Sequence, residues 1–82
     1  MSYQEREITR EKLEKHIQIL DSDEGIRIDN KTSHIFINKT ATRYCIDISK
    51  NGHDEFIYKN SPAEVIDFLA DKIDTTTKIF SY

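Results

Sequence analysis

"CIDISKNGHDEFIYK", residues 45–59, carries two runs of alternating apolar and polar residues on either side of Asn51-Gly52. The combination reads as a β-hairpin, because Asn and Gly tolerate the positive φ angles that a tight reversal requires. Loop length then decides which side chains share a face, since residues directly opposite in an antiparallel pair lie on the same side of the sheet. A two-residue loop, Asn51-Gly52, sets Ile46 against Ile57, Ile48 against Glu55 and Asp47 beside Phe56, mixing apolar and charged residues on both faces. A three-residue loop, Lys50-Asn51-Gly52 with Gly52 as a left-handed bulge, sets Ile46 against Phe56, Tyr44 against Tyr58 and Ile48 against Asp54. The second register segregates the apolar residues, so the pattern predicts it, with Phe56 and Tyr58 pointing into the core.

The same parity extends upstream. Aligning Ile28 with Ile35 and Ile26 with Ile37, then Ile37 with Tyr44 and Ile35 with Ile46, gives three successive hairpins. The predicted inner face is Ile26, Ile28, Ile35, Ile37, Tyr44, Ile46, Ile48, Phe56 and Tyr58. The outer face sorts into rows: Arg27, Phe36, Cys45, Ile57; then Asp29, His34, Asp47, Glu55 with His53 nearby; then Asn38, Arg43 and Lys59. Two N-x-T sequons, at Asn30 and Asn38, read as polar hairpin turns.

Helical signals flank the strands. Ile8-Thr9 opens the first, with Thr9 as N-cap and Leu13 placed to staple onto Ile8; Ser2-Tyr3-Gln4-Glu5 offers an alternative capping box and an earlier start. Leu13, Ile17 and Leu20 recur at helical spacing, with Ile19 pointing away. "DSDEG", residues 21–25, ends that helix and faintly resembles a calcium loop, but Thr32 stands where the bidentate Glu is required. Ser61-Pro62-Ala63-Glu64 supplies N-cap, N1 proline and N3 glutamate for the second helix. Val65, Ile66, Phe68, Leu69 and Ile73 fill one face of it, and Glu64, Asp67, Asp71 and Asp74 line the other in one arc. The tail "TTTKIFSY" is rich in β-formers. The expected fold is a two-layer α+β domain spanning residues 1–82, in the order α-β-β-β-β-α. A four-stranded antiparallel meander is backed on one face by two helices, and residues 75–82 form a tail or a short extra strand.

Composition bounds the function. The chain has 82 residues, 33% charged and 37% hydrophobic, with 15 acids against 12 bases and a net charge of −3. That fits one globular domain and disfavours phosphate-backbone binding, which draws on clustered Lys and Arg. The single Cys45 leaves no internal disulfide or four-cysteine zinc site, in keeping with a reducing cytoplasm. No apolar run approaches the ~20 residues that span a bilayer, and "MSYQEREITREK" holds no signal-peptide core. No G-x-S-x-G, H-E-x-x-H or phosphate-binding glycine loop occurs, so neither a catalytic residue nor a cofactor is expected. A mid-strand cysteine serves as a small apolar filler.

What remains is surface. An apolar centre of Phe36 and Ile57, flanked by Arg27, Arg43 and Lys59, has the anatomy of a binding interface. The acidic arc of the second helix is a second candidate, for a basic partner. The expected function is non-catalytic macromolecule binding, to a protein or to a second copy through the sheet face or an open edge strand. The alternative is nucleic-acid binding on the exposed sheet. The helix–strands–helix order is superficially similar to a double-stranded-RNA-binding domain, but that family presents lysines on the second helix where this chain has Glu64, Asp67, Asp71 and Asp74. The row Asp29, His34, Asp47 and Glu55 is a third candidate, for a cation, with His34 expected to titrate above a free imidazole.

Overall fold

Asn51 and Gly52 both adopt positive φ, 54° and 79°, and Lys50 pairs directly with His53. The reversal is therefore a two-residue type I′ turn, whose twist matches that of the flanking strands. The three-residue bulge is not formed, and the register predicted from it is off by one. Ile46 faces Ile57, Asp47 faces Phe56 and Cys45 faces Tyr58. Phe56 and Tyr58 accordingly point to solvent, 57% and 53% exposed.

The computed structural model describes residues 6–74 and 76–82. Its elements are β1 (Arg6–Ile8), α1 (Arg10–Gln18), β2 (Gly25–Asp29), β3 (Ser33–Lys39), β4 (Tyr44–Lys50), β5 (His53–Lys59), α2 (Pro62–Leu69) and β6 (Lys78–Ser81). The class is α+β, but the sheet has six antiparallel strands in the order β1-β6-β2-β3-β4-β5, not four. The tail becomes β6 and inserts between β1 and β2, pairing Ile79 with both Ile8 and Ile28. Pairing of β3 with β4 runs two residues off the expected alignment: Ile37 faces Ile46 and Lys39 faces Tyr44. The loop at Thr40–Arg43 is closed by Thr40 N–H donating to the Arg43 carbonyl at 2.8 Å, while Arg43 N–H donates to Thr40 Oγ1 at 3.1 Å. A shift of two preserves every side chain's face.

Ile26, Ile28, Ile35, Ile37 and Ile46 are buried on one side of the sheet, in one cluster with Ile79, with Leu13 and Ile17 of α1 and with Val65 and Leu69 of α2. Each such side chain contributes roughly 1.5–3 kcal/mol by leaving water. The Tyr44 hydroxyl donates to the Ile17 carbonyl at 3.1 Å, tying α1 to β4. Apolar segregation failed as a guide at β5 because the core is already filled from the middle strands; at the sheet edge only Ile57 reaches its margin.

The helices differ in how they start. Ser61 Oγ accepts from Glu64 N–H at 3.2 Å as the expected N-cap, while the Glu64 carboxylate reaches back one residue further than a capping box requires and accepts from Asn60 N–H at 3.0 Å. Thr9 has N-cap backbone geometry without a side-chain cap bond, and Ile8 lies in β1. The alternative capping box at residues 2–5 lies outside the described residues. Ile19 is 63% exposed, as its spacing implied.

Candidate interaction surface

Strand parity builds the outer face. β6 pairs Phe80 with Arg27, β3 pairs Phe36 with Arg27, and β4 pairs Asp47 with Phe36 on one side and Phe56 on the other. One continuous row therefore reads Phe80, Arg27, Phe36, Asp47, Phe56. The adjacent row carries Asn38, Cys45 and Tyr58, and begins where Tyr82 exchanges backbone hydrogen bonds with Gly25. A Cβ on Gly25 would lie 2.6 Å from the Tyr82 ring, so glycine is what lets that ring cross the strand. An open hollow of about 590 Å³ lies there, between the 22–24 loop and Arg27, Phe36, Asn38 and Tyr82. Five aromatic rings share this face.

Charge is woven among the rings. The Arg27 guanidinium sits 4.6 Å from the Phe80 ring centre, with its Nε 3.3 Å from the Asp29 carboxylate. His34 Nδ1 is 2.7 Å from the same carboxylate. Arg43 lies 5.5 Å from the Tyr58 ring. Such cation–π contacts hold rings in place while leaving their outer faces open. Asp47 is the anomaly. Its Oδ1 is covered and meets no hydrogen-bond donor, and burial, followed by the neighbouring Asp54 charge, raises its pKa above the ordinary carboxylate range.

The residues singled out from the sequence divide. Arg27, Phe36 and Arg43 come together on the outer face. Ile57 and Lys59 do not: the one-residue register change turns both toward the helices, where Lys59 Nζ lies 5.3 Å from the Phe68 ring. The contact surface predicted around Phe36 and Ile57 is thus absent: Phe56 and Tyr58, expected in the core, stand on the outer face, joined there by Phe80 and Tyr82 of the tail. The signal that would have found the first two is Asn51-Gly52 itself, whose preference for a two-residue turn outweighs the hydrophobic sorting of an edge strand.

The acidic arc is also dispersed, because α2 ends at Leu69. Glu64 is engaged in the cap, and Asp71 pairs with Lys72 at 3.2 Å. Asp74 closes the loop before β6, its Oδ1 accepting from Thr76 N–H at 2.8 Å and Thr76 Oγ1 at 2.6 Å. Those bonds lower its pKa. Asp67 stays exposed on the helix.

The proposed cation row breaks up as well. Asp29 and His34 remain neighbours, Asp47 moves to the phenylalanine row, and Glu55 turns to the helix side opposite Ile48. Among the described residues no group of three or more His, Cys, Asp or Glu side chains is placed to hold a metal ion. No helix among them is long and apolar enough to cross a membrane. No family model matches the chain, and no curated protein or solved structure matches it.

Proposed function

We propose that the protein is a small cytoplasmic, non-catalytic binding module whose outer sheet face engages another protein, in a regulatory or inhibitory role. The observation that carries this reading is the exposure of Phe56 and Tyr58, 57% and 53%, beside Phe36, Phe80 and Tyr82 on one face. Two exposed rings continuous with half-buried Phe36, Phe80 and Tyr82, with charge of both signs among them, have the usual makings of a protein interface. Asp47 adds a preference within that class. A partner lysine or arginine reaching this carboxylate would be flanked by Phe36 and Phe56, gaining an ion pair and two ring faces together. The partner surface is therefore basic, with apolar side chains around the contact.

Affinity capture from the native host tests this, with the wild-type chain and a Phe56→Ser/Tyr58→Ser variant immobilised in parallel. The expected result is a protein retained by the wild type and depleted at least ~10-fold on the variant, the scale of losing two anchor side chains. Equal retention by both would remove the outer face from the reading.

Five rings on one sheet face also favour a second reading, the stacking of single-stranded nucleic acid. Asp29, Asp47 and Asp54 on the same face and the net charge of −3 weigh against it. A shift assay with single-stranded oligonucleotides at low ionic strength is expected to show no binding; a salt-sensitive complex would reverse the ranking.

A further inference from the structure

The two edges of the sheet are unlike. Among the described residues β1 offers three, whereas β5 offers seven in unbroken register with β4, with neither a proline nor a bulge. Hydrogen-bonded and non-hydrogen-bonded pairs alternate outward from a two-residue turn, beginning with the bonded pair Lys50–His53. His53, Glu55, Ile57 and Lys59 therefore direct their backbone groups to β4. Asp54, Phe56 and Tyr58 turn theirs to the open edge, a template for another strand.

We propose that the strand received there is β5 of a second copy, antiparallel and centred on Ile57, which joins two six-stranded sheets into one. The sequence of β5 selects both the partner and the register. A two-fold axis through the sheet keeps inner residues opposite inner residues, so the axis must pass through a residue rather than between two. Centred on Glu55, the pairing sets two carboxylates face to face. Centred on Phe56, it sets Glu55 against Ile57 and His53 against Lys59. Centred on Ile57, every opposition is favourable: Ile57 meets Ile57, Glu55 meets Lys59 twice, and Phe56 meets Tyr58 twice. Opposite-charge and aromatic cross-strand pairs are the ones that stabilise an antiparallel ladder. The backbone agrees, because the Phe56–Tyr58 pairs fall at hydrogen-bonded positions. The Ile57 and Glu55–Lys59 pairs fall at the closer, non-hydrogen-bonded ones.

Glu55 and Lys59 lie on the helix side of the sheet, away from Phe36 and Phe80. The dimer thus leaves the outer face open and brings the Phe56 and Tyr58 rings of both copies together at its middle. The dimer and the partner proposed above both draw on Phe56 and Tyr58, whereas Glu55 and Lys59, on the opposite face, belong to the dimer alone and separate the two tests.

Sedimentation velocity across a concentration series reads the association. The expected result is a reversible monomer–dimer equilibrium, weakened at least ~10-fold by Glu55→Lys or by Lys59→Glu, each of which sets like charges opposite each other twice. The combined Glu55→Lys/Lys59→Glu exchange restores the wild-type constant, because the pairing survives with its signs reversed. Thermal melts of all four chains check that the exposed substitutions leave the monomer folded. A single monomeric species up to ~1 mM would overturn the proposal. A dimer indifferent to Glu55→Lys, or one the double exchange fails to recover, would overturn it equally.

Discussion

Asp47 shows how one side chain can be kept at a cost to the fold. Its pKa is raised, first by burial and then by Asp54. Raised in the folded state, it disfavours folding wherever the carboxylate is ionised. The penalty is complete above the folded pKa, shrinks as pH falls toward the ordinary carboxylate value, and is gone below it. Asp47→Asn is therefore expected to raise the urea midpoint at neutral pH and to leave it unchanged in acid below the carboxylate range. Equal midpoints at neutral pH would show that solvent already satisfies the carboxylate. The same residue marks where sequence reasoning turned. Asp47 lies on the outer face as expected, but its neighbour across the strands is Phe56, because hydrophobic sorting, which assigns Phe56 and Tyr58 to the core, is a rule that holds where both faces of a strand have neighbours to discriminate. At an edge strand it does not hold, and the turn dipeptide alone set the register.

At the scale of elements, α2 and α1 make a matched pair. Both open on a hydroxyl residue in extended backbone, yet only Ser61 bonds back into its helix. Ser61→Ala should cost ~1 kcal/mol, while Thr9→Ala should stay within ~0.5 kcal/mol, each measured by chemical denaturation. A similar loss at both positions would mean that the bond to Glu64 adds nothing. The S-P-A-E signature was legible because all of its residues lie within one turn. The end of α2 was not, since Ile73 continues the apolar spacing but is buried from the loop rather than from the helix. Past Leu69 the chain is held by the Asp74 carboxylate, whose pKa is lowered by its bonds to Thr76 and Thr77. Lowered in the folded state, it contributes stability above the ordinary carboxylate value and loses it as pH falls through the folded one. Asp74→Asn should flatten the acid limb of the stability profile, which a pH series of melts would register; an unchanged limb would assign that slope to other carboxylates.

For the whole molecule, the decisive element is the one written last. The meander from β2 to β5 was readable because each strand pairs with its neighbour in sequence. β6 joins β1 and β2 across most of the chain length, and no local pattern announces such a pairing; the β-propensity of "TTTKIFSY" marks a strand without naming its neighbours. Yet β6 fills the space between two strands that do not otherwise touch, and Ile79 is buried there beside Ile28. Deleting residues 78–82 would leave β1 without a hydrogen-bonded neighbour, open the backbone of β2 and vacate a core position. An internal strand is lost, not a frayed end, so the remaining sheet cannot close the gap without moving α1, which is tethered between β1 and β2. The truncated chain is expected to lose its cooperative thermal transition by circular dichroism, whereas Ile79→Ala should keep one lowered by ~2–5 kcal/mol. A truncated chain that still melted cooperatively near the full-length midpoint would mean that the four-stranded meander and its two helices are stable alone, and that β6 is an accessory to the fold.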